Sequence, residues 1–261
     1  ALAFCQDGDE ILHANHGFEM YSIVSKVVGA VPKKIQEDEN FNLNIDDLID
    51  QTNEATKVIY IASPNNPTGT YLSRNQVIKL MDNISKNIVV VIDGAYVEYV
   101  EKDDYDKGFS LADEYDNIIL TRTFSKAYGL AALRVGWCYS SKKIVDIINK
   151  IKPPFNTTTI SQSLAIKAIE DQEHIINSVK FNSEIKFWFE KELNLLSIKT
   201  KKTEGNFTLI ETSIEEAEKI SNHLMSDGII IRRLNSYNLP NFLRISIGTK
   251  EEMRMTIESL K

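Results

Sequence analysis

The sequence predicts an α/β protein, in which a mostly parallel sheet with helices on both faces precedes a smaller α+β unit. Short apolar runs rich in β-branched residues alternate with stretches whose apolar residues recur at helical spacing. Glycine- and proline-containing polar segments follow several of the apolar runs. The pattern changes at the double proline Pro153-Pro154, and proline stops helices. We therefore predict a large unit over residues 1–154 and a small unit over residues 155–261.

The large unit is predicted to consist of buried strands joined by helices. The predicted strands are 11–13, 31–35, 57–62, 87–93, 118–121 and 135–139. The predicted helices are 17–28, 46–51 and 73–84, and Ser73 is a suitable N-cap for the third. Ligands of parallel sheets bind at the carboxyl ends of the strands. This rule places the candidate chemistry after Ala62, at Asp93 and after Thr121.

The small unit is predicted to begin with two helices, of which the second is long and connects the units. These helices cover 161–169 and 174–195. Strands are expected at 207–211, 229–232 and 243–247, and further helices at 214–225 and 251–260. Strands and helices that follow one another in this way are typical of an α+β arrangement.

Composition excludes several classes of function. The chain has 261 residues, 43% of them apolar, and a net charge of −7, which argues against nucleic acid as the main partner. No apolar run is long enough to span a bilayer, so no membrane partner is expected. The two cysteines suit reduced thiols in the cytoplasm. No Cys/His cluster has the spacing of a zinc site, and no metal is predicted.

The start of the chain is unusual. Residues 1–5 read ALAFC, an apolar, helix-favouring run that ends at the polar stop signal of residues 6–9. Such a run is typical of the last turns of a helix. We therefore expect the 261 residues to be part of a longer chain.

A lysine among small residues follows the strand predicted at 118–121. The segment 121–136 reads TRTFSKAYGLAALRVG and contains Ser125, Lys126 and Arg134. An amine held in a pocket is shielded from water, and its neutral form can condense with a carbonyl. A hydroxyl and an arginine suit a phosphate. The set indicates pyridoxal phosphate, although a lysine taken alone is more often a solvated surface residue.

Two polar motifs end the neighbouring strands. Asn66 lies in the loop 63–69, SPNNPTG, whose prolines and glycine restrict the backbone. Its amide suits a cofactor oxygen, and the alternative is an ordinary strand-to-helix turn. Asp93 closes the run IVVVI, where a carboxylate needs a partner: a protonated pyridine nitrogen or, alternatively, a helix N-terminus that it caps. Tyr96 suits the 3-hydroxyl of the ring, unless it is an interfacial aromatic.

Two arginines and one aromatic residue complete the candidate site. Arg244 stands inside the apolar run FLRISIG, where a buried guanidinium needs a partner such as a substrate carboxylate. The alternative is an edge-strand arginine that reaches solvent. Arg232, after GIII, is a weaker candidate of the same kind, and Phe18 is either a ring that stacks on the cofactor or a core residue. His13, His16, His174 and His223 share no catalytic spacing, and we expect surface or hydrogen-bonded histidines.

Taken in order, these motifs resemble the fold-type I pyridoxal-phosphate aminotransferases. The ordered set is SPNNPTG, D-x-A-Y, T-x-S-K and R-x-G. The similarity runs along the whole chain and is greatest to the branch that acts on histidinol phosphate. It implies a transaminase that uses L-histidinol phosphate and 2-oxoglutarate and works as a homodimer with shared sites.

The resemblance also implies a role for each candidate residue. Lys126 would bond the cofactor and transfer the substrate proton, and Asp93 would bind the pyridine nitrogen. The oxygen at position 3 of the ring would be bound by Asn66 and Tyr96. The remaining implied contacts are Ser125, Arg134 and Thr123 with the cofactor phosphate, Arg244 and Arg232 with the substrate, and Phe18 with the face of the ring.

Three alternatives stay open at this point. The chain could be an aromatic amino-acid aminotransferase or a decarboxylase of a phosphorylated amino acid on the same fold. A different class would be a non-catalytic domain that senses the cofactor. Members of the family bind the cofactor phosphate with a glycine-bearing turn that would precede residue 1. We therefore expect the 261 residues alone to bind pyridoxal phosphate poorly and to turn over slowly.

Overall fold

The computed structural model describes all 261 residues and contains two separate sheets. The strands of the first are β1 (Glu10–Ala14), β2 (Val31–Ile35), β3 (Thr56–Ala62), β4 (Val89–Asp93), β5 (Ile118–Thr123) and β6 (Gly136–Ser140). They lie in the order β2-β1-β3-β4-β5-β6. All pairings are parallel except that of β5 with β6. The predicted mostly parallel sheet is confirmed.

Helices cover both faces of this sheet. They are α1 (Met20–Val27), α2 (Ile45–Asp50), α3 (Arg74–Asn83), α4 (Phe109–Glu114) and α5 (Lys142–Ile151). Side chains alternate along β4, so Val90 and Ile92 pack in one cluster with α2, α3 and α4. Val89 and Val91 pack on the opposite face with Ile144 of α5. The predicted α/β layering is therefore present, although the sequence patterns did not reveal α4 or α5.

The second sheet is antiparallel. Its strands are β7 (Lys199–Lys201), β8 (Phe207–Glu211), β9 (Arg232–Leu234) and β10 (Leu239–Ser246), in the order β7-β8-β10-β9. The remaining helices are α6 (Thr159–Glu170), α7 (Gln172–Leu195), α8 (Ile214–Ser226) and α9 (Lys250–Ser259). Phe189 and Leu193 of α7 pack with Ile210 and Leu243 of the sheet. None of the helices is long and apolar enough to cross a membrane.

The strand predicted at 229–232 begins later than expected. The N–H groups of Gly228 and Ile229 donate to the carbonyls of Met225 and Leu224, at 3.1 and 2.8 Å. This pair of bonds, with Gly228 in the left-handed region at φ +80°, is the Schellman closure of α8. Ile229 is therefore still tied to the helix, and strand β9 starts only at Arg232.

Helix α1 is also displaced from its predicted start and turns a different face inward. It begins at Met20 rather than at residue 17. The apolar residues that suggested the helix are largely exposed: Ile23 is 48% and Val27 72% accessible. The buried positions are Tyr21 and Ser25. Apolar spacing thus identified the helix but not its buried face. Tyr21 is buried instead, with its hydroxyl bonded to Asp93 in the cavity described below.

Candidate active site

A cavity of about 480 Å³ opens at the carboxyl ends of β3, β4 and β5. The strand register explains its position, because Ala62 pairs with Asp93 and Asp93 pairs with Thr121. The ends of β3 and β4 are therefore level, β5 continues to Thr123, and the segments that follow the three strands meet. The residues predicted to bind the cofactor all line this cavity: Phe18, Asn66, Asp93, Tyr96, Thr123, Ser125, Lys126 and Arg134.

Asp93 supplies a buried carboxylate to the cavity wall. The Tyr21 hydroxyl donates to its Oδ2 atom at 2.9 Å, and the Ala95 N–H donates to Oδ1 at 3.1 Å. Burial raises the pKa of Asp93, while these donors and the Arg122 guanidinium counteract the rise. Two donors on a desolvated carboxylate leave it able to accept one more hydrogen bond from a group inside the cavity.

Tyr21 is a site residue that the sequence reasoning missed. It stacks on Tyr60 with ring centroids 4.7 Å apart and planes 2° from parallel. Burial, with the nearby Asp93 carboxylate, raises the pKa of Tyr21 well above its usual value, so the phenol stays a donor. The signal was available, because Tyr21 follows Phe18 by three residues and such positions share one face of a helix. The two rings meet edge to face at 5.9 Å.

Lys126 and Tyr96 lie together on another part of the wall. The Lys126 Nζ atom is 5.2 Å from the centre of the Tyr96 ring. Tyr96 is buried and packs edge to face on Phe207 of β8, at 5.5 Å. An amine above an aromatic face is attracted by the ring quadrupole. The second sheet therefore supports the ring beside which the lysine is held.

Ser125 and Arg134 present donors on the turn that follows β5. The Ser125 N–H donates to the Thr123 hydroxyl at 3.1 Å, which shapes this turn. Arg134 adopts a left-handed backbone at φ 51° and donates from Nη1 to the Ala131 carbonyl at 2.7 Å. The rest of its guanidinium and the Ser125 hydroxyl remain available to an anion.

Arg244 does not line the cavity, but it holds a residue that does. Its Nη1 atom donates to Oδ1 of Asn66, and its guanidinium lies 5.0 Å from the centre of the Phe207 ring. Because the Asn66 oxygen is engaged, the amide NH₂ is the group that Asn66 offers to the cavity. The Nε atom of Arg244 is buried without a partner.

Arg232 lies opposite Arg244 on the neighbouring strand. Its side chain is 55% accessible, and Nη2 is 3.9 Å from Glu19. The cation is therefore at the surface and only weakly paired. Arg232 is not among the residues that line the cavity.

A buried hydrogen-bonded pair, His16 and Glu37, supports the two loops that carry Phe18 and Asn66. His16 Nδ1 lies 3.0 Å from Glu37 Oε2, and the His16 N–H donates to the other carboxylate oxygen at 3.0 Å. The His16 carbonyl accepts from Asn65 Nδ2 at 3.1 Å. His16 is thus a hydrogen-bonded histidine, as expected, and it links the loop before α1 to the loop after β3.

The donor set of the cavity fits pyridoxal phosphate. A desolvated carboxylate at Asp93 suits the pyridine nitrogen, and the Asn66 NH₂ suits the neighbouring ring oxygen. Lys126 supplies the amine, and Ser125 with Arg134 supplies donors for a phosphate. The cavity volume of about 480 Å³ also lies within the usual range for a small-ligand site, so the cofactor has room to bind.

Comparisons with known proteins agree with this chemistry. The sequence pattern of the aminotransferase class I and II family matches residues 1–260. Histidinol-phosphate aminotransferase of Pelagibacter ubique is 41% identical and covers 96% of this chain and 71% of its own length. The enzyme of that name from Ruegeria pomeroyi is 36% identical and covers 100% and 72%. The crystal structure of histidinol-phosphate aminotransferase from Sinorhizobium meliloti with pyridoxal-5'-phosphate superimposes with a TM-score of 0.91 at 25% identity, over 98% of this chain and 70% of that one.

Proposed function

Because the chain belongs to the aminotransferase class I and II family and is a pyridoxal-phosphate-dependent enzyme, we propose that its amino donor is L-histidinol phosphate. The amino group would pass to 2-oxoglutarate, which gives imidazole acetol phosphate and L-glutamate. The similar proteins from Pelagibacter and Ruegeria carry the name of this activity. The observation that supports the chemistry is the cavity in which Lys126, Asp93 and Asn66 come together.

Bound pyridoxal phosphate supplies an aldehyde carbon for amines and a pyridinium ring that accepts electron density. We assign to Lys126 the proton transfer at the substrate α-carbon, because its amine lies on the cavity wall beside Tyr96. Asp93 holds the proton on the ring nitrogen, since a buried carboxylate between two donors favours a cation as its third partner. Both side chains have neighbours that position them: Lys126 lies beside the Tyr96 ring, and Asp93 accepts hydrogen bonds from Tyr21 and Ala95.

The other cavity residues position the cofactor. We assign the oxygen at position 3 to the Asn66 amide and the Tyr96 hydroxyl. Ser125 and Arg134 would bind the phosphate, and Thr123 supports them through the Ser125 N–H. Phe18, which is 37% accessible, would cover one face of the ring. The resemblance of the motifs and their meeting in one cavity support these assignments.

Arg244 and Arg232 are assigned to the substrate. The planar fork of Arg244 suits the carboxylate of glutamate in one half-reaction and the phosphate of histidinol phosphate in the other. Arg232, opposite it on β9, would add a second positive charge for the doubly charged phosphate. Because Arg232 is exposed, it would contact the phosphate of histidinol phosphate without restricting the binding of glutamate.

We also propose a homodimer in the cytoplasm, with a cofactor-binding unit at 1–154 and a small unit at 155–261. The six-stranded sheet ends at Ser140 and the four-stranded sheet begins at Lys199, which supports this division. Several large apolar side chains are exposed, Phe155 at 99% among them, which favours a protein partner. Sedimentation should give twice the mass of one chain, and a monomer at micromolar concentration would contradict the dimer.

The donor is tested by a substrate panel with 2-oxoglutarate as acceptor. We expect kcat/KM for L-histidinol phosphate to exceed that for phenylalanine by roughly 100-fold, because a bound phosphate adds charge-assisted hydrogen bonds. Higher kcat/KM for phenylalanine or tyrosine would favour an aromatic aminotransferase instead. Release of CO₂ from a phosphorylated amino acid would favour a decarboxylase. The Lys126→Ala variant measures the background in each assay.

A further inference from the structure

Arg122 is a buried cation that none of the steps above uses. It contributes to the cavity wall and is 7% exposed. Taking a guanidinium out of water costs several kcal/mol unless a partner compensates it. Burial accordingly lowers the pKa of Arg122. A charge kept at such a position calls for an explanation.

The direct partners of Arg122 compensate its charge only in part. Its Nη1 and Nη2 atoms donate to the backbone carbonyls of Thr121 and Lys107, the first at 2.8 Å. The guanidinium carbon lies 5.8 Å from the Phe109 ring centre and 5.9 Å from that of Trp137. Carbonyls and aromatic rings fix the guanidinium in place, but neither carries a net negative charge. The carboxylates close enough to act on the cation are Glu98 and Asp93, and no hydrogen bond joins either of them to it.

The guanidinium lies against Gly94, the residue that follows Asp93. Asp93 pairs with Thr121, and the Gly94 N–H donates at 3.1 Å to the same Thr121 carbonyl that accepts from Arg122. A Cβ atom added to Gly94 would lie 2.7 Å from the Arg122 guanidinium carbon. Arg122 thus covers the residue that follows Asp93, with no room for a side chain between them.

We propose that Arg122 is a positioning residue that keeps the Asp93 carboxylate ionised and in place. The inference rests on the role proposed above for Asp93. The other groups that face this carboxylate are Tyr21 on α1, Tyr60 on β3 and the Thr121 hydroxyl on β5, all uncharged, and Lys126 across the cavity. The hydrogen-bond donors Tyr21, Ala95 and Thr121 and the Arg122 cation all oppose the effect of burial on Asp93, and Arg122 is the charged member of this set.

The direction of the effect follows from charge. Burial raises the pKa of Asp93 and the Arg122 cation lowers it, so loss of the cation raises the pKa further. Fewer Asp93 side chains are then ionised at a given pH. The acid limb of the kcat/KM profile should move to higher pH in Arg122→Met, and the loss of activity should shrink as the pH rises.

A double-mutant cycle separates this role from general support of the fold. Arg122→Met should lower kcat/KM at pH 7 roughly 10-fold in the native background and less than about twofold in the Asp93→Asn background. An equal loss in both backgrounds would overturn the inference. Arg122→Lys keeps the charge and should stay within about threefold of wild type. A loss as large as that of Arg122→Met would also overturn it.

Gly94→Ala gives a second test that leaves Arg122 in the chain. The added methyl group meets the guanidinium and displaces it. This variant should mimic Arg122→Met, and its effect should likewise disappear in Asp93→Asn. If circular dichroism shows that Arg122→Met does not fold, Gly94→Ala still tests the proposal. Wild-type behaviour of Gly94→Ala, or an effect that persists in Asp93→Asn, would contradict the proposal.

The ionisation itself can be read without cofactor or turnover. Protein labelled with ¹³C at the aspartate carboxyls is titrated by NMR, and the Asp93 resonance is assigned by its absence in Asp93→Asn. The midpoint should rise in Arg122→Met and Gly94→Ala but not in Arg122→Lys. Equal midpoints in all variants would overturn the inference. Full activity of Asp93→Asn would instead overturn the proposed role of Asp93, so the two failures are distinguishable.

Discussion

The two ends of the site hold their charges in different ways. At the proposed cofactor end, the Asp93 carboxylate is desolvated and accepts two hydrogen bonds, and Arg122 lies on the adjacent strand. At the substrate end, Arg244 is tied to Asn66, whereas Arg232 is 55% accessible and 3.9 Å from its acidic neighbour. In the proposed function, the cofactor end would serve one ligand throughout, whereas the substrate end would accept two different substrates. The more tightly held charges therefore lie where the proposed ligand does not change.

The largest effect is expected from Lys126→Ala, because it removes the amine assigned to proton transfer. General acid–base groups contribute roughly 10²–10⁴-fold, so turnover should fall by about 1,000-fold or more. The visible absorption band of the enzyme with pyridoxal phosphate should also disappear. Lys143→Ala, an exposed lysine on α5, is the matched control. Persistence of the band, with a borohydride-trapped adduct on a different lysine, would refute the assignment.

Asp93→Asn tests whether charge, rather than shape, matters at the cofactor end. The amide retains the size of the side chain but cannot keep the ring nitrogen protonated. We expect kcat to fall roughly 100-fold or more, the scale of a lost charge interaction in a preorganised site, while circular dichroism stays unchanged. Asp116→Asn alters an exposed aspartate and serves as control. Activity within about threefold of wild type would show that the negative charge of Asp93 is not required at the cofactor end.

Arg244→Lys addresses the rigid part of the substrate end. Lysine keeps the charge but loses the planar fork, and one charge-assisted hydrogen bond is worth about 1.5–3 kcal/mol. The KM for glutamate should therefore rise roughly 10- to 100-fold. The affinity for pyridoxal phosphate should change by less than about threefold. Unchanged glutamate kinetics would place the carboxylate site elsewhere.

The smallest effect is expected from Arg232→Gln. An exposed, weakly paired cation contributes about 1 kcal/mol or less, so the KM for histidinol phosphate should rise roughly two- to fivefold. The KM for glutamate should not change, because only the phosphate needs the second charge. Arg254→Gln, an exposed arginine on α9, controls for net charge. A larger loss than that of Arg244→Lys would reverse the comparison between the two arginines.

The motifs predicted which candidate residues meet in one cavity because these motifs are local. Strands β3, β4 and β5 end at Ala62, Asp93 and Thr123, and the parallel register brings these ends to one edge of the sheet. A strand followed by a short polar loop therefore identifies both the residue and its location. The residues that line the cavity could be proposed for this reason before any contact was known.

The supporting contacts could not be predicted in the same way. Tyr21 bonds to Asp93 across 72 positions of sequence, and Arg244 bonds to Asn66 across 178. Helical spacing predicted a helix over 17–28, but it did not identify Tyr21 and Ser25 as the residues that α1 buries. The periodicity of apolar residues indicates that a helix is present, whereas its tertiary contacts determine which face of the helix is buried.

Sequence patterns alone were enough to predict most of the strands and helices, the loops that follow the strands and the chemical groups on those loops. These properties follow from residues a few positions apart, through backbone preference and side-chain alternation. The packing of Arg122 against Gly94 and of Tyr96 on Phe207 of the other sheet became known from the three-dimensional structure alone. Such contacts depend on how layers with many side chains fill space together, and no short stretch of sequence contains that information.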